Sequence, residues 1–353
     1  MRILAHGRRW VEELPASPVR WLLIPAWLCY RPLIALRNCA YDRGWLRSTR
    51  LPVPVISVGN LTAGGTGKTP AALAVVAWLC AHGRRPAIIA RGYRGVDGVN
   101  EEAQLAGDIP VICNPDRIAG GRQAIAAGAD CLVLDDGFQH RRLARDLDIV
   151  VIDATRPWGH DAGGRGAVLP LGYLREGRSG LHRAGLCWLS RTDLVDDLRL
   201  IQVCSELPAG MPTVMERMRG ATLTPLSGGV SEPVATWRAR QVVLVSGIGN
   251  PAGFEGAVRA CGLVPLTSHR FPDHHHYTAD EVAAIQIAVA GMPVVITAKD
   301  AVKLRKFSGF QAQVFVMDSH LDDLSPLERA LERALEGNLK RESLQPPAPP
   351  PHA

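Results

Sequence analysis

Residues 53–83 read as three consecutive pieces. A short β-branched run, VPVISV (53–58), leads into a glycine-rich turn, TAGGTGKTP (62–70); an apolar stretch of helical length, AALAVVAWLCAHG (71–83), follows and closes on Gly83. Strand, glycine loop and helix in that order form the context a phosphate-binding loop requires. Glycines let backbone N–H groups converge on phosphate oxygens at the positive end of a helix. Gly64, Gly65, Thr66 and Gly67 are expected to form the cradle, Lys68 to reach the β/γ-phosphates and Thr69 to ligate Mg²⁺. One departure stands out: the strict pattern G-x-x-x-x-G-K-[ST] wants Gly where Thr62 stands.

The pattern around this loop alternates. Further candidate strands are PAIIA (86–90), IPVIC (109–113), CLVLD (131–135), DIVVID (148–153) and LCWLS (186–190), with a helical stretch at 117–127. A second series begins at QVVLVSGIG (241–249), continues through VVIT (294–297) and ends in a charged helix near 324–336. Alternation of this kind predicts an α/β fold, a P-loop NTPase-type, mostly parallel sheet with helices on both faces. A smaller C-terminal α/β domain and an N-terminal membrane-associating helix are expected beside it. The predicted division is 1–50 for the N-terminal anchor, 51–205 for the P-loop core, 206–340 for the second domain and 341–353 for a disordered Pro-rich tail. The stretch from Pro157 to Gly180 reads as a long functional loop.

Charge narrows the function. The net charge is +6, and the first 50 residues hold nine arginines against three acids, Glu12, Glu13 and Asp42. The remaining 31 basic and 31 acidic side chains cancel. The main body therefore offers no nucleic-acid face, and any basic-surface argument concerns the N-terminus alone. There, Trp21 to Tyr30 is unbroken apolar or aromatic sequence, flanked by Arg20, Arg31, Arg37 and Arg43, with Arg31-Pro32 as a break. The run is short of the roughly 20 apolar residues a membrane span needs. A helix lying in the membrane interface is the favoured reading; a buried N-terminal helix is the competing one. The eight cysteines form no C-x-x-C pair and read as small, reduced core hydrophobes, which favours the cytoplasm.

Two further clusters carry chemistry. CLVLDDGFQHRR (131–142) ends a strand on Asp135-Asp136, a Walker B-like arrangement able to hold Mg²⁺, with Gln139 and His140 turned toward the phosphate pocket. HRFPDHHHYT (269–278) packs four His and one Asp into ten residues. Adjacent side chains cannot all converge on one ion, so Asp273 beside His274 reads better as a proton-transfer pair than as a zinc site. Ser190-Arg191-Thr192-Asp193 only loosely echoes a base-reading [NT]-K-x-D element. Arg91, Arg94 and Arg117 are candidate phosphate ligands, and Arg175-Glu176 is either part of the glycine-rich loop's function or a surface ion pair.

With these residues assembled, the chain resembles the tetraacyldisaccharide 4′-kinase family of lipid A biosynthesis. The matching stretches are SVGNLTAGGTGKTP, ARGYRG, DDGFQH, LPLGYLRE, GIGNPAGF, FPDHHHYT and TAKDAVKL, in one order to about residue 305. The resemblance implies transfer of the ATP γ-phosphoryl group to the 4′-hydroxyl of a tetraacylated disaccharide 1-phosphate, with ATP and Mg²⁺ as cofactors. It also implies work at the cytoplasmic face of the bacterial inner membrane, peripherally or through a single N-terminal anchor, without an obligate protein partner. Lys68 and Thr69 match the family's Walker residues, Asp135, Asp136 and His140 its DDGFQH group, and Arg175-Glu176 its loop pair. His274 matches the histidine of its catalytic dyad. The dyad aspartate falls on Glu101 in the register that keeps Glu102-Ala103 in place, and on Asn100 in a register shifted by one. Leu171, Tyr173 and Gly177 depart from the family's P-A-G-P-L-R-E-P ending. A membrane-recruited ATPase switch of the partition or septum-site type is the alternative, weakened by Ala63 where that family carries its signature Lys. A nucleotide-binding protein without catalysis is a third.

Overall fold

The computed structural model describes residues 22–91, 108–159, 166–272, 275–289 and 291–342. Helix α1 (Ile24–Asp42) precedes the first strand–loop–helix unit, β1 (Val55–Gly59) and α2 (Lys68–Ala81). Then come β2 (Pro86–Ala90), β3 (Val111–Cys113), α3 (Arg117–Ala126), β4 (Cys131–Asp135), β5 (Leu147–Asp153), β6 (Leu186–Ser190) and α4 (Asp197–Ser205). The second series is β7 (Thr213–Pro225), β8 (Glu232–Pro233), β9 (Gln241–Ser246), α5 (Pro251–Ala260), β10 (Val264–Arg270) and α6 (Ala279–Ala288). It ends with β11 (Val294–Thr297), α7 (Ala298–Leu304), β12 (Gln313–Leu321) and α8 (Ser325–Glu342).

The strands line up as β10-β9-β11-β12-β7-β6-β5-β1-β4-β2-β3, with β8 paired to β7. Each neighbouring pair is parallel except β12 with β7 and β7 with β8. β1, β2, β4 and β5 are buried along their whole length, as expected of parallel strands covered on both faces. Successive side chains point to opposite faces. Ile149 and Val151 of β5 join the core beneath α2, while Val150 and Ile152 join the core on the other face.

Two features go beyond the sequence reading. The Gly- and Pro-rich region after residue 205 contains the longest strand, β7, which pairs with β6 on one side and β12 on the other. The final helix extends to Glu342 and leaves the second series to pack into the first: Leu327, Ala330, Leu331, Ala334 and Leu335 share a core with α2 and β1. Asn338 Nδ2 donates to the Pro52 carbonyl, 3.2 Å away.

The expected break at Arg31-Pro32 does not occur. Pro32 lies inside α1 with its ring exposed, so the carbonyl deprived of a partner faces the solvent side. Cys131 and Cys187 are buried as expected, whereas Cys29, Cys80 and Cys113 are exposed. Among the described residues no helix is long and apolar enough to cross a membrane.

Leu331 is 0% exposed at the centre of the shared core. Leu331→Ala is expected to destabilise the chain by about 2–5 kcal/mol, read as a lower midpoint of urea unfolding. An unchanged midpoint would mean that α8 merely lies on the surface.

Candidate active site

The glycine-rich loop leaves the C-terminal end of β1 and enters α2. Gly64 and Gly67 have φ of 119° and 93°, a region that side-chain-bearing residues rarely adopt. Gly67 caps α2 without any side-chain hydrogen bond, so the first N–H groups of the helix stay available to an anion. The buried Asn60 braces the loop from inside, its Nδ2 donating to Thr66 Oγ1 at 3.0 Å. Ser190, at the end of β6, donates to the Thr66 carbonyl at 2.8 Å, and Arg191 Nη2 donates to the Gly65 carbonyl at 3.2 Å. The Ser-Arg-Thr-Asp segment, a poor match in sequence, thus lies directly against the loop.

Thr62 explains its own departure from the glycine pattern. It is buried and forms an antiparallel bridge with Leu174, a place suited to a β-branched residue. Ala63 N–H donates to the Tyr173 carbonyl and Arg175 N–H to the Leu61 carbonyl, each at 2.7 Å. The segment carrying Arg175 and Glu176 is therefore zipped to the leading edge of the phosphate loop.

β4 pairs beside β1, with Asp135 opposite Val58, and delivers both acids to this end of the sheet. Asp135 is buried, and Thr69 Oγ1 donates to its Oδ2 at 3.3 Å. The buried Arg117 donates to the Asp135 carbonyl at 3.0 Å, fixing the strand end rather than facing the loop. Asp136 has φ of 55°, and this turn points its carboxylate at two cations: Arg175 Nη1 at 2.7 Å and Lys68 Nζ at 3.8 Å. Burial pushes the Asp136 carboxyl upward, but Lys68 and Arg175 outweigh it and hold the group below its ordinary value. Burial raises Asp135 against the pull of Lys68, and lowers Lys68 against that of Asp136.

Arg175 and Glu176 do not pair with each other. Glu176, 1% exposed, accepts from Asn38 Nδ2 at 2.7 Å, from Gln139 Nε2 at 3.1 Å, and from Arg183 Nη2 at 2.9 and 3.0 Å. Gln139 also donates to the Asn60 carbonyl at 2.9 Å. Helix α1 is tied in as well: Tyr30 donates to the Arg175 carbonyl at 2.8 Å and Arg37 Nη2 to the Gln139 carbonyl at 3.0 Å.

Lys68, Thr69, Asp135, Asp136, Gln139, Arg175 and Glu176 are thus brought together, with Gly64, Gly65, Thr66 and Gly67 forming the loop. Glu101, Asp273 and His274 lie outside the described residues, as does Arg94. Asn38, Asn60 and Arg183 escaped the sequence reading. A polar Asn directly after an apolar strand was the available signal for Asn60; the others have no local one.

His140 sits in the same turn, but its ring is largely enclosed. Among the described residues its Nε2 meets no hydrogen-bond partner. Burial, then the nearby Arg117, Arg145 and Arg142, against a weaker pull from Asp116, take its pKa from 6.5 down to about 4. Between those values the unfolded chain binds a proton that the folded chain refuses, so stability falls as pH drops through the window and levels off below it. The loss amounts to at most about 3 kcal/mol. His140→Asn is expected to flatten this part of the stability profile relative to wild type, measured as urea midpoints from about pH 7 to about pH 4. Parallel profiles would contradict the assignment.

The tetraacyldisaccharide-1-P 4′-kinase family matches residues 19–336. The tetraacyldisaccharide 4′-kinase of Anaeromyxobacter dehalogenans (strain 2CP-C) is 43% identical over 304 residues, 78% of this chain and 79% of that protein. The same-named protein of Pelobacter propionicus is 36% identical over 364 residues, covering 95% and 97%. Among solved structures, LpxK from Aquifex aeolicus, crystallised in complex with ATP, superposes with a TM-score of 0.69 at 27% identity, covering 90% of this chain and 99% of that one. With its P-loop fold, its carboxylates and its extent all in agreement, this chain belongs to the tetraacyldisaccharide-1-P 4′-kinase family.

Proposed function

We propose that this chain transfers the γ-phosphoryl group of ATP to the 4′-hydroxyl of a tetraacyldisaccharide 1-phosphate, the compound class in its relatives' names. The observation that carries this reading is the meeting of Lys68 and Arg175 on Asp136 at the mouth of the phosphate loop. Gly64, Gly65, Thr66 and Gly67 cradle the phosphates, while Lys68 and Arg175 neutralise charge as the phosphoryl group moves in line. Gln139 and Glu176 keep Arg175 in place beside the nucleotide, with His140 in the same turn as Gln139.

The chain's donors also fit Mg²⁺. Thr69, Asp135 and Asp136 offer hard oxygens, and Asp135 Oδ1 is buried without a hydrogen-bond partner among the described residues. Bound there, the ion would supply further charge neutralisation at the phosphates.

On the acceptor side, Glu101 and His274, with Asp273 beside it, orient the sugar hydroxyl and take its proton. The hydroxyl oxygen bonds to the γ-phosphorus, the bond to the bridging β–γ oxygen breaks, and ADP leaves with that electron pair. Helix α1 turns Ile24, Leu28, Leu33 and Leu36 outward while Tyr30 and Ile34 face the core. That exposed stripe and the flanking arginines suit a helix resting on a membrane surface. With ATP as the phosphoryl donor, the proposed place of work is the cytoplasmic face of the bacterial inner membrane, and this reading needs no protein partner.

The deciding assay follows labelled γ-phosphate from Mg-ATP into a tetraacyldisaccharide 1-phosphate in mixed micelles. Wild type should label the lipid, Lys68→Ala should lose at least about 100-fold in kcat, and Glu101→Ala should lose transfer while still binding ATP. ATP hydrolysis by wild type without labelled lipid would refute the reading. For the membrane role, Leu28→Glu with Leu36→Glu should abolish co-sedimentation with anionic vesicles and leave ATP binding unchanged; undiminished sedimentation would remove α1 from that role.

A further inference from the structure

The second strand series ends at the same side of the molecule as the phosphate loop. β10, β9 and β11 are mutually parallel, so the segments after Ser246, Arg270 and Thr297 leave one edge together. The first of them reaches across to the loop: a Cβ built on Gly65 would stand 3.9 Å from the Cβ and backbone N of Asn250.

One carboxylate ties these segments to one another. Asp300, 0% exposed, accepts from Gly247 N–H and from the Tyr277 hydroxyl on Oδ1, each at 2.9 Å, and from the Thr297 hydroxyl on Oδ2 at 2.6 Å. Burial of this carboxyl is thereby met by three donors from three separate segments. Gly247 is three residues from Asn250, and Tyr277 follows the histidine run. The segments are thereby held in one arrangement relative to one another, with Asn250 beside Gly65 of the loop.

Directly before Asp300 stands Lys299. It is half-buried, and among the described residues its ammonium makes no hydrogen bond or ion pair. Behind burial and the nearer charges, it is one of the groups acting on both Lys68 and Asp135. Its charge repels Lys68 and attracts the Asp135 carboxylate, so an anion entering between the two lysines relieves the repulsion and is held by both. The anion for which the loop is built is a polyphosphate.

We propose that Lys299 is a third catalytic cation, beside Lys68 and Arg175, supplied from the opposite strand series, that contacts the transferred γ-phosphoryl oxygens, and that Asp300 is the positioning residue that sets its reach. This rests on the phosphoryl-transfer reading. The division of labour follows from chain placement: Lys68 travels with the loop and α2, Lys299 with the edge that Asp300 locks.

The test compares wild type with Lys299→Met, Lys299→Arg and Asp300→Asn. It measures kcat, the KM for ATP, and the Kd of ATP and of ADP without lipid. Lys299→Met should lower kcat by about 10²–10³-fold and weaken ATP binding by about tenfold, with ADP binding changed less than about twofold because ADP lacks the γ-phosphate. Lys299→Arg, which keeps the charge, should restore kcat to within about tenfold of wild type. Asp300→Asn should lower kcat and narrow the ATP-over-ADP preference in the same direction. Equal losses of ATP and ADP affinity in Lys299→Met, or an undiminished kcat, would overturn the proposal. The lipid-free binding pair separates the two readings. Wild type that discriminates ATP from ADP through Lys299 but labels no lipid leaves this assignment standing and removes only the acceptor.

Discussion

Burying a carboxylate strips it of water, and the loss has to be met by donors from the protein. Glu176 meets that demand with donors from three places: Asn38 on α1, Gln139 on the turn after β4, and Arg183 downstream of its own loop. No two of these segments are neighbours in sequence, so the single buried charge fixes their mutual placement. Arg175 inherits its position from this arrangement, because its backbone is held by Leu61 and Tyr30 while Glu176 anchors the next residue. The contact between Arg175 and Asp136 is the outer consequence of an inner constraint. Losing one Glu176 partner would leave an uncompensated buried group, a larger penalty than the value of any one hydrogen bond.

The sheet imposes a second constraint. β7 is hydrogen-bonded to both series, parallel to β6 and antiparallel to β12, and α8 returns from the end of the second series to pack in the core of the first. The chain therefore crosses between the series twice, once through β7 and once through α8. These two long-range connections hold the second series beside the first, where Asn250 stands close to Gly65. Loop closure over such separations is costly, and the apolar area that α8 buries offsets it.

Legibility in the sequence follows the range of the interaction. The phosphate loop could be read because strand, glycines, lysine and helix lie within some 30 residues, and each carries its own local signature. β2, β4, β6 and β11 were legible to the residue, being short apolar runs bounded by turns. β7 was hidden: Pro and Gly stand around it, and its identity as a strand comes from pairing with β6 and β12. Pro32 misled for a related reason, since an exposed proline inside a helix frees a carbonyl that water satisfies. Asn38, 138 residues from Glu176, and Arg183 had no periodicity to betray them. Polar partners of a buried charge are chosen by the folded surface, and a chain read in order contains only half of each pair.

The site's charge balance explains why the same geometry suits a nucleotide. Lys68 and Arg175 face Asp136, with Asp135 alongside. Without a ligand, two cations and two carboxylates nearly cancel, and burial opposes the charged forms of Lys68, Asp135 and Asp136. Asp136 resolves the conflict by holding both cations at once, which keeps them clustered in a partly desolvated setting. An entering polyphosphate then competes with one carboxylate for cations that are already in place, so little reorganisation is needed when charge develops at the transferred group. Helix α1 takes part in the same economy of parts. Its Tyr30, Arg37 and Asn38 contact the segments holding Arg175 and Gln139, while its leucines face outward. In the proposed reading, a substrate whose acyl chains stay in the bilayer meets the phosphate loop at a height set by one rigid helix, and the hydrogen bonds that support Arg175 also set that height.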